Sequence, residues 1–372
     1  MVKKVIGSLV ILGLIVGGVG VWQVMGEKPQ VTKSVEQGAK NTEQKGQLKS
    51  QASSLKPQSH PIKTVKIMNT KSEKMIEEVR EMATSEYSSP IYVTWSSDES
   101  KILYVMSPDL VIGVIVERNL KTKEFNSLTY PYDDGEIGES PYGAAFEPDV
   151  SPDGKQIVFV MKDDKGIPQV WKMNVNGKNK IQLTNFEEDK YWLTPKWSPD
   201  GKKILVHLAD IYLINVEDNK KIKIKSERGG FKGDWSPDGG KITLISGKGG
   251  KYNLWIINSD GTNPVQLTTD SNVDLDYTPS WSPNGKKIAY TDEGKSAARN
   301  CDNYIMIINT DGSNPTKIIL PNNMGGNCPA WSKDGKRLLC LGIKDVTEEG
   351  DKGHHEAAGI YIITLPESIL KE

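Results

Sequence analysis

The sequence predicts an all-β fold, a six-bladed propeller of four-stranded blades. Three observations predict it. One short phrase recurs six times, the copies are spaced by about one blade, and each copy is followed by strand-length apolar runs. The copies are Trp95-Ser-Ser-Asp-Glu-Ser-Lys-Ile102, Val150-Ser-Pro-Asp-Gly-Lys-Gln-Ile157, Trp197-Ser-Pro-Asp-Gly-Lys-Lys-Ile204, Trp235-Ser-Pro-Asp-Gly-Gly-Lys-Ile242, Trp281-Ser-Pro-Asn-Gly-Lys-Lys-Ile288 and Trp331-Ser-Lys-Asp-Gly-Lys-Arg-Leu338. Their first residues lie 55, 47, 38, 46 and 50 positions apart, the period of a four-stranded propeller blade.

Within a copy, Pro pre-sets the first turn residue, Asp or Asn takes the second, and Gly supplies a left-handed position, so the phrase joins strands A and B by a tight turn. Strand C follows as Gln169–Val175, Asp210–Val216, Asn253–Ser259, Tyr304–Thr310 and Ile360–Leu365, all β-branched or aromatic runs. Asn176-Gly177, Asp260-Gly261 and Asp311-Gly312 then turn the chain into strand D. The first copy lacks both Pro and Gly, as terminal repeats often do. Seven residues remain after Leu365, so either Ile369-Leu370 or residues 62–68 must supply the last outer strand.

The segments before the propeller read in order. Residues 1–26 are a membrane anchor or signal sequence: Lys3 and Lys4 precede an uncharged run, Val5–Gly26, of 22 residues, about 33 Å long as a helix and enough to cross a bilayer. The run exceeds a usual signal-peptide core and offers no Ala-x-Ala site, which favours an uncleaved transmembrane helix. Lys3 and Lys4 orient it with the rest of the chain outside the cytoplasmic membrane. Residues 27–60 hold almost no large apolar side chains and read as a disordered stalk. Residues 61–87 read as a strand and a short helix. There Thr70-Lys-Ser-Glu73 forms a capping box, and Met75, Ile76, Val79, Met82 and Ala83 share one helical face. Residues 88–372 are the propeller.

The phrase Trp-Ser-Pro-Asp-Gly-Lys-Lys-Ile, then strand C, then Asn-x-Asp-Gly-x-Asn-Pro, resembles the TolB-type β-propeller repeat over about three quarters of the chain. The resemblance implies an envelope protein outside the cytoplasm. It does not extend to the α/β domain that precedes the propeller in TolB itself, where this chain has stalk and helix.

In such a ring the A–B and C–D turns lie on one face and the longer D–A and B–C connections on the other, where variable loops carry binding. The candidate binding residues are Tyr132, Asp133, Asp134, Tyr142, Asp189, Tyr191, Trp192, Arg228, Asp274, Asp276, Tyr277 and Arg299. Aromatics with polar tips among acidic residues suit protein or sugar contacts. Asp270, Asp274 and Asp276, or His354-His355, fit no known metal loop, and no cofactor is expected. Gly-x-Ser-x-Gly is absent and only four histidines occur, which argues against hydrolase and lyase chemistry. With 47 basic against 48 acidic residues, no basic field exists to hold nucleic acid.

Cys301 and Cys328 end loops of the same face on adjoining blades, so a disulfide can form between them in an oxidising compartment. The expectation is a non-enzymatic, membrane-anchored binding or scaffold module whose long-loop face meets an envelope protein. An envelope polysaccharide, or metal-dependent hydrolase or lyase chemistry on that face, is the alternative.

Overall fold

The computed structural model describes residues 62–66, 76–78, 89–107, 113–129, 145–187, 193–208, 210–224, 230–248, 251–269, 271–293, 303–320, 324–345 and 355–371. The six repeats form six antiparallel sheets. Blade 1 is β3 (Ser89–Trp95), β4 (Lys101–Ser107), β5 (Val114–Asn119) and β6 (Phe125–Ser127), and blade 2 is β7 (Ala145–Val150), β8 (Gln156–Lys162), β9 (Pro168–Asn174) and β10 (Ile181–Gln182). Blade 3 is β11 (Thr194–Trp197), β12 (Lys203–Leu208), β13 (Asp210–Asn215) and β14 (Lys221–Ile224). In blade 4, bridges Phe231–Ile245 and Trp235–Ile242 replace a regular inner strand beside β15 (Lys241–Lys248), β16 (Lys251–Asn258) and β17 (Val265–Gln266). Blade 5 is β18 (Ser280–Trp281), β19 (Lys287–Asp292), β20 (Tyr304–Asn309) and β21 (Thr316–Ile319), and blade 6 contains β22 (Gly325–Trp331), β23 (Arg337–Asp345) and β24 (His355–Thr364).

Each A–B turn is built by the Ser and Asp of the repeat. In blade 3 the Ser198 hydroxyl donates to Asp200 at 2.6 Å and accepts the Lys203 N–H at 2.9 Å, while Asp200 accepts the Lys202 N–H at 3.0 Å. The same three bonds recur at Ser151, Ser236, Ser282 and Ser332. A buried hydroxyl used in both directions leaves no polar group of the turn unmet. The hydroxyls hold Asp153, Asp200 and Asp238 below the usual carboxylate range.

The anchor residues fill the gaps between blades. Trp197 packs with Val158 and Val160 of blade 2, Trp235 with Leu205 and Leu213 of blade 3, Trp281 with Leu254 and Ile256 of blade 4, and Trp331 with Ile305 and Ile307 of blade 5. Trp95 packs with Leu339 and Ile360 of blade 6, which closes the ring. The anchor therefore always faces the preceding blade.

Ring closure differs from both sequence expectations. The outer strand of blade 6 is β2 (Ile76–Glu78), antiparallel to β24 with Ile76 opposite Ile363. Residues 62–68 instead contribute β1 (Lys63–Lys66), a fifth strand parallel to β21 of blade 5. Ile369 and Leu370 lie in α1 (Glu367–Leu370), with Ile369 buried at the junction of blades 5 and 6. The helix expected across Thr70–Ala83 is replaced at Ile76–Glu78 by strand, because the open edge of β24 offers backbone partners that outweigh local helical pattern. The rest of that span lies outside the described residues, as do the expected transmembrane helix and stalk.

The irregular first and last turns meet at this junction. At four other junctions a turn Gly abuts the preceding blade's Pro, Gly201 facing Pro152, Gly239 Pro199, Gly285 Pro237 and Gly335 Pro283, and Gly154 faces Ser97, which stands at the Pro position of blade 1. At the closing junction Glu99 (φ +56°) occupies the Gly position and Lys333 the Pro position. Because Lys333 is not Pro it has an N–H, which Glu99 accepts, and Glu99 also pairs with Arg337 at 2.6 Å. The two departures from the repeat are thus one clasp. Glu99→Ala and Lys333→Pro should each lower stability by about 1–2 kcal/mol, an estimate discounted for the partial exposure of Arg337. Urea unfolding midpoints check this, and combining the two should cost little more than either alone.

Candidate functional site

Each inner strand runs from the long-loop end of a central channel to the A–B turn, so a residue's offset from its anchor sets its depth. Two rings of side chains follow. Three positions before the anchors stand Tyr92, Glu147, Thr194, Lys232, Thr278 and Cys328; one position before stand Thr94, Asp149, Lys196, Asp234, Ser280 and Ala330. Most of them line a cavity of about 240 Å³.

In the outer ring Tyr92, Glu147 and Cys328 have φ of +52°, +51° and +53° and sit at register shifts in β3, β7 and β22. A bulge of this kind re-aims a side chain. Lys232 crosses the channel from blade 4: its ammonium pairs with Glu147 of blade 2, donates to the Asp276 carbonyl of blade 5 at 2.8 Å, and lies 4.8 Å from the Tyr92 ring centroid of blade 1. Lys232 is only 2% exposed. A buried ammonium needs such full coordination. Beside it His207 is buried and neutral, its pKa pushed down to about 3 by burial and by the Lys232 charge. Gly233 makes room for that imidazole, since a Cβ would meet the Thr243 carbonyl at 1.9 Å and the ring at 3.0 Å.

In the inner ring Lys196 lies 3.3 Å from Asp149. Burial would lower the Lys196 pKa, but Asp149, Asp234 and Glu147 outweigh it and hold the ammonium above the usual lysine range. Burial, relieved in part by Lys196, pushes Asp234 up to about 6. This ring also latches blade to blade. Asp149 accepts the Trp197 N–H at 2.8 Å, Asp234 the Trp281 N–H at 3.5 Å and Ser280 the Trp331 N–H at 3.3 Å.

The sequence-derived site residues divide in two. Tyr132, Asp133, Asp134, Tyr142, Asp189, Tyr191, Trp192, Arg228 and Arg299 lie outside the described residues. Asp274, Asp276 and Tyr277 come together at the long-loop mouth of the channel. Asp274 is buried, not a surface ligand: it accepts the Asp276 N–H and the Asn303 side-chain amide, each at 2.8 Å. Burial, with Asp276 and Glu293 nearby, pushes it up to about 7. Asp276 is exposed, with its carbonyl on Lys232. The half-buried Tyr277 phenol is held above its usual range by burial and by Asp274, against a hydrogen bond from Asn327. Cys328 carries a free thiol, and Cys301, the other half of the expected bridge, is not among the described residues. The bulge at Cys328 turns Sγ inward to accept the Val93 N–H at 3.4 Å. Among the described residues no group of three or more His, Cys, Asp or Glu side chains is placed to hold a metal ion.

The architecture is that of a closed six-bladed propeller whose channel carries buried ion pairs beside a cavity of about 240 Å³. No family model matches the chain. It is 26% identical over 255 residues to an uncharacterised protein of Agrobacterium fabrum, covering 65% of this chain and 80% of the relative. It is 26% identical over 129 residues to the Tol-Pal system protein TolB of Anaeromyxobacter dehalogenans, covering 33% of this chain and 29% of that protein. Among solved structures it resembles TolB from Acinetobacter baumannii, with TM-score 0.50, 24% identity and coverage of 61% of this chain and 53% of that one. It also resembles a TolB-like protein of Agrobacterium tumefaciens, with TM-score 0.53, 18% identity and coverage of 78% and 97%. The chain is a six-bladed β-propeller that resembles those of TolB proteins, and the match reaches less than a third of the curated TolB protein's length.

The Asp274 environment generates a pH test. Its folded pKa of about 7 lies above an unfolded value of about 3.9, so the native state holds the extra proton between them and stability falls as pH rises through that window. Asp234 acts in the same direction up to about pH 6. Asp274→Asn, with the Asn303 amide turned to accept, should remove the upper part of the slope. Relative to the native chain it should gain stability on the order of 3 kcal/mol between pH 5 and pH 8, read by urea unfolding at both values.

Proposed function

We propose that this chain is a non-enzymatic binding or scaffold protein of the cell envelope that meets a protein partner on its long-loop face. The observation that carries the reading is the Lys232 network. It spans the long-loop end of the channel with a partnered buried charge, which braces that face as a rigid platform. Asp276 and Tyr277 stand on the rim of that platform, one exposed and one half-buried. A half-buried tyrosine held by neighbours gives up little side-chain entropy on contact, which suits a protein interface.

Similarity to a protein of the Tol-Pal system supports an envelope setting. Residues 5–26 are read as the anchor that holds the propeller outside the cytoplasmic membrane. Among the described residues no helix is long and apolar enough to cross a membrane, and the anchor lies outside them.

The test is affinity capture of the full-length protein from detergent-solubilised native membranes, beside an Asp276→Ala, Tyr277→Ala variant. A specific envelope protein retained by the native chain and reduced at least tenfold in the variant is the expected result. Retention of envelope polysaccharide with no specific protein would replace this reading with glycan binding.

A further inference from the structure

The inner ring of the channel follows a rule that two blades break. In blades 2, 4 and 5 the residue before the anchor carries an oxygen, on Asp149, Asp234 and Ser280, that accepts the anchor N–H of the next blade. Blade 3 carries Lys196, which cannot accept, and Asp234 turns back to take the Trp235 N–H at 2.8 Å instead. Blade 6 carries Ala330. The Trp95 N–H, which the pattern would pair with that position, has no acceptor among the described residues. Its direction is fixed by strand register: Ser96 N–H bonds Lys101 across the hairpin, so the paired Trp95 and Ile102 point their backbone groups away from each other, and the Trp95 N–H faces the channel. The Val150 N–H of blade 2 is placed alike, and Thr94 of blade 1 makes no hydrogen bond to it.

The cavity beside these N–H groups is lined by Thr94, Trp95, Val150, Thr278, Ser280 and Ala330 among others. The Trp95 and Val150 carbonyls face the same way as their N–H groups, and two hydroxyls add donors beside them. The Thr278 hydroxyl is buried with no partner among the described residues. The Ser280 oxygen already accepts from Trp331, so its proton is free to donate. Four carboxylates line the cavity and each is engaged: Asp149 by Lys196 and the Trp197 N–H, Glu147 by Lys232, Asp234 by the Trp235 and Trp281 N–H groups, and Glu99 by Arg337 and the Lys333 N–H. The charged residues of the ring sit on blades 2 to 4, and the sector formed by blades 5, 6 and 1 holds Ser280, Ala330 and Thr94, which are uncharged.

We infer that this sector is a binding site for one small carboxylate, which enters where blade 6 lacks an acidic side chain and accepts the Trp95 and Val150 N–H groups as Asp149 accepts that of Trp197. The volume, about 240 Å³, equals that of roughly eight water molecules, so the acid is a free one of a few carbons or the C-terminal carboxylate of a peptide tail. Backbone N–H pairs are a common means of holding an anion where no arginine is present.

The experiment is equilibrium dialysis of the full-length protein in detergent against labelled glycolate, with glycolamide as the neutral control. A second arm sets acetyl-Gly-Gly against its C-terminal amide. Ala330→Asp supplies the missing carboxylate from the chain itself and Ala330→Ser supplies a neutral acceptor. The expected result is saturable binding of one glycolate per chain, at least tenfold weaker for glycolamide, and lost at least tenfold in Ala330→Asp with an unchanged or higher melting temperature. Retention of the peptide acid but not the free acid would assign the site to a chain terminus. No saturable binding of either acid up to 10 mM (on the order of the weakest useful affinity), equal binding of acid and amide, or full binding by a folded Ala330→Asp would each overturn the inference.

Discussion

Lys232 is the constraint on which the rest of the molecule turns. A propeller with six blades leaves a hole at its axis, and the side chains that fill it must come from strands that never pair with one another. Here one buried ammonium reaches from blade 4 to Glu147 of blade 2, the Asp276 carbonyl of blade 5 and the ring of Tyr92 in blade 1. Burying it without these partners would cost several kcal/mol, so its presence fixes the bulges that aim Tyr92 and Glu147 inward, the turn that presents the Asp276 carbonyl, and the neutral state of His207 beside it. The proposed binding face inherits its rigidity from this pair. Asp276, with Tyr277 next to it, is held at the mouth because its carbonyl caps the ammonium.

A second organising feature is the way the repeat is spent at the ring's seam. Five junctions share the turn, in which a glycine of positive φ lies against the neighbour's proline or its substitute. The sixth must also hold the first blade to the last, and it does so through the two positions where the phrase departs from itself, Glu99 and Lys333. The outer strand Ile76–Glu78 adds a backbone zipper to blade 6. Irregularity in the terminal copies is therefore where closure is achieved, by side chain at the turn face and by backbone at the rim.

Much of the fold was legible because turn chemistry is local. The Ser and the Asp or Asn of each copy, with Gly in five of the six, meet one another within five residues, so six blades, the A–B turns and the five later C strands could all be read from spacing and composition. The closing strand could not, since Ile76–Glu78 carries a helical pattern and takes its pairing from the distant edge of β24. The channel was missed for a different reason. Asp149, Lys196 and Asp234 stand one before the anchor, where an inward strand position in a four-stranded blade should be apolar or small; charge recurring at that fixed offset was the available signal. Glu147 and Lys232 gave less warning, because their approach depends on bulges that no residue type announces. The place of Asp274 in a long D–A connection puts it with the binding candidates, and its burial could not be foreseen, since it depends on the Asp276 N–H and the distant Asn303 amide.

The central claim is that Lys232 and Glu147 act as one buried pair that braces the blades. A double-mutant cycle with Lys232→Met and Glu147→Gln, followed by urea unfolding at neutral pH, tests it most directly. The account predicts that Lys232→Met alone costs about 3–5 kcal/mol and that the double variant recovers at least half of the loss, because neither partner is then left charged and alone. Additive losses, or a Lys232→Met variant as stable as the native chain, would contradict it.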